Sequence, residues 1–199
     1  MNDLQIISRV LFEPSDIIEI RCIKGQRPNS VSRSLWCTAA ELPSKGEQLD
    51  RLNKQGWNLY FGVNPRKQSG GTKSVDVALA RCCFTDFDDK DCPMLRPSCG
   101  DGAGLGRYEF VLNHIIDAGL PEPSLVVSSG NGMHCYWRLA EPIYDAAEFK
   151  AAQENLIDLL GSDGAVKDFS RIMRLPPFDN VKDESNPKEC FVIYPTRTL

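Results

Sequence analysis

Three groups of side chains in this 199-residue sequence have the types and spacing to do chemistry. The first is Asp86-Phe87-Asp88, which ends the apolar run from Val77 to Phe87. On a strand, residues two apart share a face, so both carboxylates can converge on one hard cation while Phe87 enters the opposite core. Asp89 then points away, as a turn or solvent residue. Charged strand ends are common, but an acidic pair closing an apolar strand needs neutralising, and a divalent cation does that. The second group is Ser129-Gly130-Asn131-Gly132-Met133-His134. Its glycines let backbone N–H groups approach a ligand oxygen closely, and a strand-borne His134 is fixed well enough to grip a phosphate. The third group starts at Asp163, with Arg171 eight positions on, then Arg174, Asn180 and Lys182. On a helical turn Arg171 and Arg174 share a face and form a fork of donors suited to phosphate oxygens. Taken singly, each group also reads as ordinary structure: a charged strand end, a glycine hairpin, a solvated charged segment.

The elements that must position these groups are legible in the pattern. Leu4 to Leu11 predicts a short helix before Pro14, and Ile17 to Ile23 alternates as a strand that Ser34 to Thr38 extends into a sheet. Leu42 to Gln55 reads as a polar helical stretch stopped by Gly56, and Trp57 to Val63 as a strand. Pro65 to Ser74, with Arg66, Lys67, Lys73 and Gly70-Gly71, predicts a mobile basic loop. Val77 to Phe87 predicts a central strand delivering carboxylates at its end, and 90–106 a surface insertion rich in Pro, Gly and Cys. Tyr108 to Ala118 is helical, and the strands Leu125 to Ser128 and Met133 to Leu139 flank the glycine turn. Asp145 to Leu160 is an amphipathic helix with Phe149, Ala152, Leu156, Leu159 and Leu160 on one face, and Cys190 to Tyr194 is a last strand. Strands and helices mix without a βαβ rhythm, so the fold class is α+β with a mixed or antiparallel sheet.

Composition narrows the field. The chain is 42% hydrophobic and 25% charged, as expected of one ordinary soluble domain. No apolar run reaches the roughly 18 residues of a membrane span, and the start lacks a secretory signal pattern, so a cytoplasmic location is expected. The formal charge of −4 runs against the basic balance of most phosphate-backbone binders. Eight cysteines without a C-x-x-C pair read as reduced thiols, and zinc at Cys92 and Cys99 is not expected. His114 and His134 are 20 residues apart, which excludes a nuclease needing two histidines alternating on one strand.

In their order, the hydrophobic D-x-D, S-G-x-G-x-H with a following aromatic strand, and an acid followed by R-x-x-R-L-P and N-x-K, these motifs resemble the archaeo-eukaryotic primase superfamily. The likeness is greatest to its primase-polymerase branch from plasmid and phage replication proteins. Tyr60-Phe61-Gly62-Val63-Asn64-Pro65-Arg66 also resembles that branch, whereas Leu175-Pro176-Pro177-Phe178 departs from the L-P-G-T of many relatives. The resemblance implies a primase catalytic fold over 1–199, with an N-terminal subregion of about 1–75 and a catalytic subregion, RRM-like in part, of about 76–199. It implies two Mg²⁺ or Mn²⁺ ions held by Asp86, Asp88 and a third acid, Asp163, with Asp168 as the runner-up. It implies contacts to an incoming NTP or dNTP from Ser129, Gly130, Asn131, Gly132, His134, Arg171, Arg174 and Lys182. Arg66, Lys67 and Lys73 are the candidates for contact with a single-stranded DNA template. A helicase or other replication protein is an expected partner, and the chain is read as a catalytic fragment or a minimal enzyme.

Two rival readings exist. A glycosyltransferase would use D-x-D for a nucleotide-sugar's metal but leaves the arginines and the S-G-N-G-M-H turn without a role. A catalytically inactive nucleic-acid-binding module of a replication initiator would have no need of all three acids.

Overall fold

The computed structural model describes residues 1–26, 28–88 and 105–194. Asn2 and Gln5 form a reciprocal capping box that starts α1, Asp3–Leu11, and the helix buries Leu4, Ile7 and Leu11 on one face. Strand β1, Ile17–Lys24, buries Ile18, Ile20 and Cys22 and pairs with β2, Val31–Thr38. A short helical turn at Leu42–Lys45 leads into α2, Gly46–Lys54, and then into β3, Asn58–Gly62. Beyond lie β4, Ala80–Asp88, α3, Leu105–Asp117, β5, Leu125–Ser128, and β6, Gly132–Ile143. Asp145 caps α4, Ala146–Leu160, which Gly161 ends at φ +60°; β7, Ile172–Arg174, and β8, Phe191–Tyr194, complete the order.

The α+β class holds, with two four-stranded sheets in place of one central sheet. Their orders are β2-β1-β3-β7 and β4-β6-β5-β8, and the named ladders are all antiparallel. The chain crosses the boundary near residue 75 more than once. β7 returns to pair with β3, and Asp3 of α1 accepts a 3.0 Å hydrogen bond from the Val192 amide of β8. A core shared by both sheets contains Phe61, Phe84, Tyr136 and Phe149, with Phe61 and Tyr136 rings 6.1 Å apart and Phe84 and Phe149 5.9 Å apart. A second core, with Phe87, Val111, Ile115, Met133 and Trp137, forms on the other face of β4 and β6.

Several expectations need correction. Arg171 and Arg174 do not share a helical turn: Arg174 ends a strand and Arg171 directly precedes it. β4 is an edge strand in its sheet. Its outward Phe84 amide and carbonyl are both met by the fully buried Gln153 side chain of α4, which donates as well to the Val166 carbonyl at 3.0 Å. The inner face of α4 is therefore Phe149, Gln153, Ile157 and Leu160, while Leu159 is 51% exposed. The polar Gln153 hid that face from a hydrophobic reading. The 65–74 loop is pinned at its ends, because Arg66 bridges to both Ile17 and Val77. Among the described residues, no helix is long and apolar enough to cross a membrane. Cys22, Cys37, Cys82, Cys83, Cys135 and Cys190 are free thiols, and the insertion with Cys92 and Cys99 lies outside the described residues.

Candidate active site

The alternation of β4 and β6 builds one side of the site. On the face they turn toward the shared core, the aromatic rings of Phe84 and Tyr136 are buried, and the next positions, Asp86 and His134, turn polar where the sheets part. Asp86 lies directly opposite His134 across the ladder, and Asp88 opposite Gly132. Phe87 enters the second core, as the i, i+2 geometry of the two acids requires. Asp163 is drawn in beside them: its amide donates to the Asp86 carbonyl at 3.0 Å, and its Oδ1 accepts from the Ala165 amide at 2.9 Å.

The glycine turn is shaped by close approach. Gly130 has φ +92°, and a Cβ there would meet Cβ of Lys188 at 2.7 Å and Cβ of Asn180 at 3.3 Å. A Cβ on Gly132 would run into the Phe87 carbonyl and stand 3.0 Å from Cα of Asp88. The Ser129 amide closes the turn on the Gly132 carbonyl at 2.9 Å. His134, 3% exposed, contacts the Tyr136 hydroxyl through Nδ1 at 3.3 Å, and its Nε2 lies 3.7 Å from Asp86 Oδ1, beyond hydrogen-bond reach. Burial, and then the nearby Arg174 charge, push its pKa down to about 3, so the imidazole is neutral and keeps one donor and one acceptor nitrogen.

The other sheet contributes the cations. Arg174 on β7 donates to Asn58 Oδ1 at 3.0 Å, and its guanidinium lies 5.0 Å from the centre of the Tyr60 ring on β3. Arg171 bonds Asp168 through Nη2 at 2.8 Å, while its Nε is buried without a hydrogen-bond partner. Asn180 is buried, and its Oδ1 accepts from the Lys182 amide at 3.2 Å.

These residues meet in one cleft of about 240 Å³ between the sheets. It is lined by Asp86, Asp88, Asp163, Ser129, Asn131, His134, Arg171, Arg174 and Lys182, with Tyr60, Asn180, Val166, Ile172 and Met173. Gly130 and Gly132 shape its turn without lining it. Asp168 is exposed and held by Arg171, away from the lining. Lys67 donates to the Val75 carbonyl at 2.8 Å, and it and Lys73 are exposed outside the cleft. Arg66 is corrected as a template contact: it is 2% exposed and bound to Glu19. Tyr60 was missed because alternation in β3 shows only that it points opposite Leu59 and Phe61, not which site lies on that side.

Among the described residues, no three His, Cys, Asp or Glu side chains form a ready-made metal cage. The acids nevertheless fit Mg²⁺ or Mn²⁺ in donor type: hard oxygens on a cleft wall opposed by cations suit an ion held by one or two carboxylates together with substrate phosphates.

No protein-family model matches the sequence, and no curated protein matches it. Solved structures do. The AEP domain of the primase-polymerase (PrimPol) of cyanophage S-2L matches with TM-score 0.69 at 21% identity, covering 96% of this chain and 87% of that one. The primase RepB′ matches with TM-score 0.64 at 18% identity over 96% of this chain, which spans 54% of that protein's chain. Its catalytic domain in complex with initiator DNA matches with TM-score 0.63 at 18% identity, over 97% of this chain and 85% of that one. The chain thus has the fold of an archaeo-eukaryotic primase catalytic domain.

Proposed function

We propose that this protein is a DNA primase-polymerase, a nucleotidyltransferase that makes or extends primers on a single-stranded DNA template. One observation carries the reading: a single cleft receives opposite chemistry from its two sides, carboxylates from β4 and the Asp163 turn, cations from β7 and the segments that flank it. A nucleoside triphosphate needs that combination. Arg171, Arg174 and Lys182 offset the charge of the triphosphate, and the developing charge on the transferred phosphoryl group falls among donors already in place. Neutral His134 offers a phosphate oxygen a hydrogen bond, since its charge would have to be created at great cost in its buried setting. Ser129 and the backbone of the glycine turn approach the same phosphates, the turn being held there by the close packing of Gly130 on Asn180 and Lys188 and of Gly132 on the end of β4.

Asp86, Asp88 and Asp163 are the residues that would hold Mg²⁺ or Mn²⁺. Bound there, such ions would make the attacking 3′-hydroxyl more acidic and would neutralise the pyrophosphate leaving group. The likeness to a primase catalytic domain in complex with initiator DNA supports a nucleic-acid partner. The test is incorporation of labelled nucleotides by purified protein with Mg²⁺ or Mn²⁺ on single-stranded templates, with and without a primer. Product formation lost in Asp86→Ala/Asp88→Ala supports the reading. Absence of product from the parent under both metals, or full activity in the variant, overturns it.

A further inference from the structure

The pair Glu19 and Arg66 is the most deeply buried pair of opposite charges described, both side chains being 0% exposed. Its surroundings explain why it is there. Arg66 Nε and Nη2 bond Glu19 Oε2 at 3.1 and 2.8 Å, Nη1 donates to the Asn64 carbonyl at 3.2 Å, and Nη2 donates to the Ser170 carbonyl at 3.1 Å. Glu19 is completed on its other oxygen by Arg21 Nε at 2.7 Å and the Ser34 hydroxyl at 2.8 Å. Ser170 immediately precedes Arg171, and its carbonyl is not held in isolation. The Asn64 side-chain amide donates to the Phe169 carbonyl at 3.0 Å, and the Val63 amide donates to the Arg171 carbonyl at 3.0 Å. Three consecutive carbonyls, 169 to 171, are therefore each taken by a donor from the four residues Val63 to Arg66. Gly62, opposite Ile172 in the ladder, leaves the space: a Cβ there would stand 2.8 Å from Arg66 Nη2 and 3.1 Å from Cζ.

We infer that Arg66 is a positioning residue, anchored on Glu19, which fixes the backbone entering β7 so that Arg171 is presented to the cleft beside Arg174. The inference rests on the proposed binding of a nucleoside triphosphate between those arginines and the acids. A buried ion pair adds little net stability over apolar packing, so geometric specification is the better account of its presence. The planar guanidinium is what the site uses, since it reaches Glu19 and two carbonyls at once; a lysine would keep the charge but not the fork.

Two variants approach the bracket from opposite sides. Arg66→Lys keeps the charge against Glu19 and loses the fork, and Gly62→Ala keeps Arg66 but displaces its guanidinium. In each, the nucleotide KM is expected to rise about tenfold, the effect of one lost charge-assisted hydrogen bond, with kcat changing less. Exchange of the Val63 amide is expected to speed up while thermal unfolding stays a single transition. In an Arg171→Ala background the Arg66→Lys change should add no further rise, because its effect passes through Arg171. A folded Arg66→Lys protein with parent KM and parent Val63 exchange, or penalties that multiply with Arg171→Ala, overturns the inference. If neither variant folds, the pair serves folding alone and the inference is equally overturned. A parent protein that incorporates no nucleotide would refute the proposed function, and the Val63 exchange would then still decide whether the bracket exists.

Discussion

Replacing Gly132 with alanine places a methyl group against the end of β4 that carries Asp86 and Asp88. The new Cβ would collide with the Phe87 carbonyl and stand 3.0 Å from Cα of Asp88 and 3.1 Å from the Phe87 carbonyl carbon, all backbone atoms that no rotamer change can move. Ordinary carbon contacts lie near 3.5–4.0 Å, so β4 must retreat by roughly 0.5–1 Å at its last two residues. Overpacking of this kind costs about 1–3 kcal/mol, which for a chain of this size lowers Tm by roughly 2–12 °C. Because the displaced residue is Asp88, the larger effect is on chemistry: a misplacement of that order costs about 100-fold in rate. Calorimetry and nucleotide incorporation on the same preparation measure both. Gly106→Ala is the control, since a Cβ there meets nothing within 4 Å; it should stabilise by about 0.5–1 kcal/mol and leave activity alone. Parent-like Tm and activity in Gly132→Ala would refute the close-approach argument.

Other outcomes follow from the same geometry. Gln153→Leu should destabilise by about 2–5 kcal/mol in urea melts, since it strips partners from the buried Phe84 amide and carbonyl and from the Val166 carbonyl. Arg174→Lys keeps a charge but loses the fork to Asn58 and the Tyr60 ring, so the nucleotide KM should rise about tenfold with little loss of Tm. Burial raises the Cys83 thiol to about 11 and the Cys190 thiol to about 12; mass spectrometry after iodoacetamide at pH 8 should find both unmodified in the native protein and modified in urea. With a net charge of −4, single-stranded DNA affinity should be weak and fall steeply between 50 and 200 mM salt in anisotropy titrations; tight, salt-indifferent binding would contradict this.

The parts legible in the sequence are those governed by local periodicity. Alternation in β4 places Asp86 and Asp88 together and Phe87 opposite, and the glycine turn before His134 is as the dipeptide pattern predicts. What stayed hidden depends on pairing between distant segments. Arg66 sits among Pro, Gly and Lys and reads as a surface cation; only Glu19, 47 residues earlier in an apolar strand, makes it a buried one. A charged residue inside the run Ile17 to Ile23 was the available hint. The short strand β7 was misread for the same reason, as its three residues are a strand only through their ladder with β3. Two arginines three apart can meet one cleft from a helix, or from a loop and a strand end, and spacing alone does not distinguish the two. Gln153 shows the converse: a polar residue in an apolar helix face is there to finish an edge strand's backbone.

The most direct test of the central claim joins incorporation to template. Homopolymeric single-stranded DNA templates are offered with each nucleotide in turn, and product and released pyrophosphate are counted together. The account predicts one pyrophosphate per nucleotide added, only the complementary nucleotide used, and no product from Asp86→Asn or Asp88→Asn protein that melts like the parent. Incorporation that ignores the template, or that persists in those two variants, would contradict it.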